Sequence, residues 1–171
     1  GEHLWELAHG IDERPVSPEE GYKSIGHEMT FEHDTCDSDI LHNTMLELTG
    51  KVARRLRSQN ACARTIAIKF REKDFTTYTR RITLNDPVDT SERIFPVALR
   101  LMGSLVRKEI PVRLVGVYAS NLETARSGQL TLFGPASQKD RQLARALDDI
   151  TRRYGDRAIT PAALVPPKTK G

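Results

Sequence analysis

Apolar and polar residues alternate along two stretches of the chain, a pattern typical of strands with one buried face. In residues 65–71, every second position is large and apolar (Ile66, Ile68, Phe70). Residues 72–74 form a short turn that joins this strand to the next one as a hairpin. The same period of two predicts a strand at residues 23–31, with Ile25, Met29 and Phe31 on one side and Ser24, Gly26, Glu28 and Thr30 on the other. β-Branched residues predict the return strand at 75–84, and residues 112–118 form the fourth strand.

Between these stretches, apolar residues recur at spacings of three and four, which predicts helices. Asp37 or Ser38 caps the first helix, and Thr90 or Ser91 begins the second. Pro96 must lie early in the second helix or kink it. The apolar positions are Leu41, Met45, Leu48, Val52 and Leu56 in the first helix, and Ile94, Ala98, Leu101, Leu105 and Val106 in the second.

Both ends of the chain carry shorter elements. Residues 4–8 form a short helix that stops at Gly10, and two prolines mark an extended linker after it. Near the C-terminal end, residues 137–140 resemble a capping box, and Gly155 ends the helix that follows. One face of that helix is apolar and consists of Leu143, Leu147, Ile150 and Tyr154.

The element order β-α-β-β-α-β predicts an α+β fold. We expect a four-stranded antiparallel sheet with two helices packed on one face, plus a C-terminal helix. The other face of the sheet is then open. Lys69, Arg71 and one of the adjacent residues Arg80 and Arg81 are expected on this open face.

Charge is distributed unevenly behind the net value of +3. Residues 1–50 contain twelve acids and two bases (−10), residues 51–81 ten bases and two acids (+8), and the remainder sums to +5. A basic block inside folded sequence fits a polyanion-binding face. It fits equally a solvated helix face followed by exposed strand positions.

The sequence shows no arrangement of residues typical of catalysis or metal binding. One ligand-rich segment contains His27, Glu28, His33, Asp34 and Cys36. Its spacing differs from that of zinc motifs, and the acids elsewhere are too dispersed to hold paired metal ions. The two cysteines indicate a reduced, cytoplasmic protein, and no apolar run approaches the roughly 18 residues of a membrane span. We therefore expect no cofactor and no catalytic residue in this chain.

A short apolar peptide follows the last predicted strand. It consists of Gln129, Leu130, Thr131, Leu132 and Phe133, between glycine-containing breakers. In an extended conformation, the glutamine can hydrogen-bond to the edge of a groove while the apolar side chains fill its pockets. The alternative is a fifth edge strand that covers the core of the domain itself.

Several motifs occur along the chain in a fixed order. They are His9-Gly10-Ile11-Asp12; Lys23-Ser24-Ile25-Gly26-His27-Glu28 with Thr30-Phe31 and Asp34; Asp74-Phe75-Thr76-Thr77 with Thr79-Arg80-Arg81 and Thr83-Leu84; Val112-Arg113-Leu114-Val115-Gly116-Val117; and Ser120-Asn121-Leu122. Together they resemble the C-terminal part of Y-family translesion DNA polymerases, with the DNA polymerase IV branch as the nearest type. The resemblance covers residues 3–133 and, more loosely, the tail helix.

This resemblance implies a division of the chain. Residues 1–14 would be the end of the thumb, 15–22 a linker, 23–126 the little-finger DNA-binding domain, 127–135 a clamp-binding peptide, and 136–171 a C-terminal helix and tail. The family's catalytic carboxylates, which bind Mg²⁺, lie in a palm domain that this sequence lacks. The parent protein would be a DNA-directed DNA polymerase, and we expect this portion to be inactive alone.

The resemblance also implies partners, which are primer–template DNA and the β sliding clamp, with no membrane. The residues expected to contact DNA are Lys23, Ser24, Gly26, Lys69, Arg71, Thr77, Thr79, Arg80 and Arg81. The residues expected to contact the clamp are Gln129, Leu130, Leu132 and Phe133. Phosphate contacts of this kind position a duplex without reading its sequence.

Two other functional hypotheses stay open at this point. A stand-alone nucleic-acid-binding or protein-binding adaptor could have the same order of strands and helices. RNA-recognition modules share that order, but Phe70, Phe75 and Tyr78 do not form their aromatic signature. The other hypothesis is a metal-dependent enzyme built on the ligand-rich segment between His27 and Cys36.

Overall fold

The computed structural model describes residues 2–15, 22–106, 109–125, 138–156 and 158–165. The strands are β1 (Ser24–Thr35), β2 (Ala61–Glu72), β3 (Thr77–Val88) and β4 (Val112–Thr124). The helices are α1 (Glu2–Ala8), α2 (Ser38–Ser58), α3 (Ser91–Gly103) and α4 (Gln138–Tyr154), with a 3₁₀ turn at Ala162–Leu164. Among the described helices, none has the length and apolar character that crossing a bilayer requires.

The four strands form one antiparallel sheet in the order β1-β4-β2-β3. Apolar side chains of α2 and α3 join those of the strands in one core, so both helices pack on the same face of the sheet. The predicted α+β class and its four-stranded antiparallel sheet are confirmed. β2 lies inside the sheet and pairs with β4 on one side and β3 on the other.

The core forms at the positions that the two periodicities predicted. Ile66, Ile68 and Phe70 on β2 are at most 1% exposed. The five apolar positions predicted on α2 are at most 2% exposed: Leu41, Met45, Leu48, Val52 and Leu56. Burying a side chain of this size contributes about 1.5–3 kcal/mol relative to leaving it exposed.

Each main helix begins at the earlier of its two candidate caps. Asp37 caps α2, because its carboxylate accepts hydrogen bonds from the backbone N–H groups of Asp39 (2.8 Å) and Ile40 (3.2 Å). Thr90 precedes α3 in an extended conformation but provides no side-chain capping bond. α3 ends at Gly103, so the two residues expected as its last apolar positions, Leu105 and Val106, follow the helix instead.

Gly26 on β1 lies beneath the aromatic ring of Tyr118, its partner on β4. A Cβ atom at position 26 would lie 2.7 Å from Cε1 and 2.9 Å from Cγ of Tyr118, which is closer than packed carbon atoms approach. The ring therefore occupies the space that a side chain at position 26 would need. This close approach explains a glycine in the interior of a strand, where glycine otherwise weakens pairing.

Ion pairs attach α4 to the C-terminal end of α2. Asp148 accepts hydrogen bonds from Nε and Nη2 of Arg57 at 2.6 and 2.8 Å. Arg57 also donates through Nη1 to the backbone carbonyl of Asp89 at 2.7 Å. Just after the helix, Asp156 pairs with Arg54 at 2.5 Å. These bonds join the tail helix to the sheet-and-helix domain.

The predicted apolar face of the tail helix is only partly buried: Leu147 and Ile150 are half-buried, but Leu143 and Tyr154 are not. Leu143 and Tyr154 are 59% and 74% exposed, whereas Ala144 and Thr151 are buried. Asp148 lies on the same helical face as Ala144 and Thr151, because residues three and four apart are neighbours on a helix. Its ion pair with α2 lies on this inward face together with the half-buried Leu147, whereas Leu143 and Tyr154 lie towards solvent.

We expect Gly26→Ala to lower the free energy of unfolding by about 1–3 kcal/mol, because the added methyl group must displace the Tyr118 ring. Urea denaturation measures this change. Gly50→Ala is a matched control: a Cβ atom there meets nothing within 4 Å, so this change in α2 should stabilise the protein by about 0.5–1 kcal/mol.

Replacing Tyr118 with alanine tests the cause of this cost. Without the ring, most of the cost of Gly26→Ala should disappear, so the two substitutions should be non-additive. An equal cost in both backgrounds would show that the ring is not the obstacle.

Asp148→Ala should loosen α4, since it leaves Arg57 without its carboxylate partner, and hydrogen bonds to charged groups contribute about 1.5–3 kcal/mol. Hydrogen exchange of the α4 amides should accelerate accordingly. Asp149→Ala provides the control, because among the described residues Asp149 pairs within α4, with Arg152, and both side chains are largely exposed. Similar exchange in the two variants would contradict a docking role for Asp148.

Candidate nucleic-acid interface

The register of the four strands places side chains on the uncovered face of the sheet in four rows. Residues that pair directly across antiparallel strands lie on the same face. Taken in the strand order β1-β4-β2-β3, the rows are Ser24-Ser120-Thr65-Thr83, Gly26-Tyr118-Ala67-Arg81, Glu28-Gly116-Lys69-Thr79 and Thr30-Leu114-Arg71-Thr77. These sixteen positions are called the open face below.

Hydroxyl groups dominate the open face. Half of its sixteen side chains carry one: Ser24, Thr30, Thr65, Thr77, Thr79, Thr83, Tyr118 and Ser120. Lys69, Arg71 and Arg81 add three cations, and Glu28 is the one acid among the sixteen. Hydroxyl and cationic groups are those that proteins use to hold phosphate oxygens.

The three cations differ in how far their charges are already engaged. Arg81 lies on the outer strand β3, is exposed, and has no ion pair or hydrogen bond within the described ranges. Arg71 donates through Nε to the Oγ1 atom of Thr77 at 2.8 Å, which still leaves its charge without a counter-ion there. Lys69 is paired with Glu28, with 2.9 Å between Nζ and Oε2.

Glu28 lies at the centre of a small network on this face. The hydroxyl group of Tyr118 and the ammonium group of Lys69 both donate to its Oε2 atom. The Tyr118 hydrogen bond, followed by that of Lys69, lowers the pKa of Glu28 below its ordinary value. Burial, followed by the Glu28 hydrogen bond, raises the pKa of Tyr118 to about 12. Near neutral pH, the network therefore contains a carboxylate and a neutral phenol.

The structure separates the residues that the sequence proposed for DNA contact. Seven of them share the open face: Ser24, Gly26, Lys69, Arg71, Thr77, Thr79 and Arg81. Lys23 directly precedes β1. Arg80 pairs with Ile68, a core residue, and so lies on the helix-covered face, since successive strand residues point in opposite directions. The clamp-contacting residues Gln129, Leu130, Leu132 and Phe133 lie outside the described residues.

Sequence reasoning missed the residues that complete the face from β4. Tyr118 and Ser120 lie there because β4 is inserted between β1 and β2. The sequence predicted β4 as a strand but not which strands would lie beside it. Glu28 was correctly expected on the polar side of β1, while its pairing with Lys69 depends on contacts between strands that are distant in sequence.

Several basic residues of the block at 51–81 lie on α2 and contact other side chains away from the open face. Arg54 and Arg57 bind aspartates of the tail, and Lys51 pairs with Glu47 one turn away at 2.6 Å. Arg55 lies over the ring of Tyr22, with 5.6 Å between Cζ and the ring centroid. None of these four side chains belongs to the open face. The cations available there come from β2 and β3.

The ligand-rich segment of β1 is spread over both faces of the sheet. His27 pairs with the buried Val117 and lies on the helix-covered side, while Glu28 lies on the open face. Burial lowers the pKa of His27, and the positive charges of Lys51 and Arg55 lower it further. In the part of the chain that the structure describes, no three His, Cys, Asp or Glu side chains are grouped so that they could hold a metal ion.

Comparison with known proteins shows which family the chain resembles in sequence. The impB/mucB/samB family C-terminal domain matches residues 22–132. DNA polymerase IV of Desulfatibacillum aliphaticivorans is 39% identical over 168 residues, covering 96% of this chain and 42% of that protein. DNA polymerase IV of Oceanobacillus iheyensis is 38% identical over 165 residues, covering 94% and 39%. The chain thus spans about two-fifths of the length of the curated relatives that it matches.

Solved structures share the fold. The insertion ternary complex of Dbh DNA polymerase superimposes with a TM-score of 0.53 at 20% identity, over 70% of this chain and 34% of that one. The little finger domain of PolIV, solved in complex with the beta-clamp processivity factor, gives a TM-score of 0.50 at 22% identity, over 64% of this chain and 97% of that one. The chain belongs to the impB/mucB/samB family, whose C-terminal domain it carries, and it shares the fold of the little finger domain of PolIV.

Proposed function

We propose that this chain is the non-catalytic, DNA-gripping and clamp-docking portion of an error-prone bacterial translesion DNA polymerase. The open face, with eight hydroxyl groups and three cations in four rows, is the observation that carries the proposal. The chain would hold primer–template DNA by its backbone while the polymerase copies a damaged template. The family match weighs against a stand-alone adaptor.

The dimensions of the open face suit a DNA groove. Four strands spaced about 4.8 Å apart give a face roughly 14 Å wide. The major groove of B-DNA is about 12 Å wide. Laid across the groove, the face would bring β1 and β3 near the two phosphate backbones. Both outer strands present small polar side chains, Ser24 and Thr30 on β1 and three threonines on β3.

Backbone contact fits the work of a lesion-bypass polymerase. Serine and threonine hydroxyls and arginine side chains bind phosphate oxygens, which carry no sequence information. A grip of this kind tolerates any template sequence and any damaged base in the groove. The polymerase reaction itself, with its Mg²⁺-binding carboxylates, is assigned to the palm domain of the parent protein, which works in the cytoplasm on damaged DNA.

The peptide of residues 129–133 supplies the proposed clamp contact. It begins shortly after β4, whose end is held by the backbone N–H of Ala125 donating to the carbonyl of Asn60 at 2.8 Å. A glutamine with three large apolar side chains suits a groove with one polar edge and apolar pockets. A related little finger domain has been solved with a clamp, which supports the same partner for this chain.

Arg81 and Arg80 provide a direct test of the DNA-binding face, because they are adjacent in sequence and lie on opposite faces. Arg81→Ala should weaken binding of a labelled duplex in fluorescence anisotropy, equally for unrelated sequences. The slope of log affinity against log salt should fall by about 0.9 for one lost phosphate contact. Arg80→Ala should have a smaller effect. A larger effect of Arg80→Ala than of Arg81→Ala would show that the open face is not the face that binds DNA.

Alanine at Gln129, Leu132 and Phe133 together should abolish binding to the cognate sliding clamp in isothermal titration calorimetry. Each buried anchor of this size contributes about 1–3 kcal/mol to binding. Losing three of them should therefore weaken binding by several kcal/mol. The thermal unfolding midpoint should stay unchanged. A variant that unfolds at lower temperature would instead indicate that the peptide belongs to the core as an edge strand.

A further inference from the structure

The open face contains one feature that works against DNA binding, the carboxylate of Glu28. An acid on a face that meets phosphates costs free energy through repulsion unless it has a compensating role. Glu28 is exposed on β1 in the third row of the face, in line with Gly116, Lys69 and Thr79. It is thus on the face itself and not at its margin.

Several residues hold this carboxylate in position. Glu28 and Lys69 are separated by β4, and they meet because the residue between them is Gly116. A Cβ atom at position 116 would lie 2.9 Å from Cβ of Glu28. From the same side, the Tyr118 ring, seated over Gly26, donates its hydroxyl hydrogen to the carboxylate. Two glycines, a tyrosine and a lysine therefore position this one carboxylate on the face.

We propose that Glu28 is an affinity-limiting residue that occupies the Lys69 ammonium group in place of a DNA phosphate. This inference rests on the proposed function, in which the open face holds DNA. With Lys69 neutralised, Arg71 and Arg81 are the cations of the face that form no ion pair with a described residue, although the charge of Arg71 also contributes to the lowered pKa of Glu28. A phosphate that approaches Lys69 meets a paired charge and gains little from it.

This arrangement limits how strongly the polymerase holds its template. The affinity of proteins for DNA rises steeply with the number of phosphates that they neutralise, because each contact releases counter-ions. A face that binds mainly through hydroxyls and two cations releases the duplex more readily than one with three. A weaker grip permits the duplex to move past the sheet after each nucleotide is added.

The test compares Glu28→Gln with Glu123→Gln in the 171-residue chain, using a labelled duplex in fluorescence anisotropy at several salt concentrations. Glu28→Gln should tighten binding by roughly three- to tenfold and steepen the salt slope by about 0.9, since Lys69 becomes available to a phosphate. Glu123→Gln removes the same charge from another ion pair, with Arg64 at 3.0 Å, off the open face. It should have a clearly smaller effect.

A double variant separates pairing from direct contact. Glu28→Gln with Lys69→Ala removes both charges, so it should bind DNA with nearly wild-type affinity and salt slope. A double variant that binds much more weakly than wild type would show that Lys69 already contacts phosphate, and would overturn the inference. Circular dichroism and thermal unfolding confirm that each variant is folded.

The remaining outcomes distinguish this inference from the proposed function. If Glu28→Gln weakens binding, leaves it unchanged, or matches Glu123→Gln, the inference is wrong. Should Arg81→Ala still weaken binding in that case, the DNA-gripping role stands without it. If Arg81→Ala also has no effect, the proposed function fails together with the inference.

Discussion

Side chains of β2 alternate between the helices and the open face, and the register of the other strands is built on that alternation. Burial of Ile66, Ile68 and Phe70 against α2 and α3 fixes which way the strand faces. A slip of one residue would turn these apolar groups to solvent and Lys69 and Arg71 into the core, at a cost of several kcal/mol. Because β2 pairs on both sides, this constraint reaches β4 and β3 directly, and β1 through β4.

The polar face inherits its geometry from this apolar constraint. Once β4 is in register with β2, Gly116 lies beside Lys69 and Tyr118 beside Ala67. β1 then brings Gly26 under the Tyr118 ring and Glu28 next to Gly116. The small residues at Gly26, Ala67 and Gly116 leave room for the ring and for the ion pair across β4. Packing against the helices and charge placement on the opposite face are thus settled by the same set of strand pairings.

The sequence predicted what depends on local periodicity. Spacings of two, three and four residues predicted the apolar faces of α2 and β2 and the polar side of β1. The register of β3 was needed to decide which of Arg80 and Arg81 lies on the open face beside Ala67. The pairing of Glu28 with Lys69 required the order of the strands, since these residues come from strands separated by α2. The apolar stripe of α4 predicted the half-buried Leu147 and Ile150 but not the exposure of Leu143 and Tyr154, because the ion pairs that orient this helix come from residues distant in sequence.

The distribution of charge along the sequence also does not show which charges share a surface in the fold. The segment of residues 51–81 has a charge of +8, which alone suggests one continuous polyanion-binding surface. In the fold, its first part lies on α2, where Arg54 and Arg57 bind carboxylates of the tail. Its second part lies on β2 and β3, where Arg71 and Arg81 keep their charges without a counter-ion among the described residues. Because a paired arginine releases no counter-ion to a polyanion, the charge that would count in the proposed DNA binding is the unpaired charge on one face.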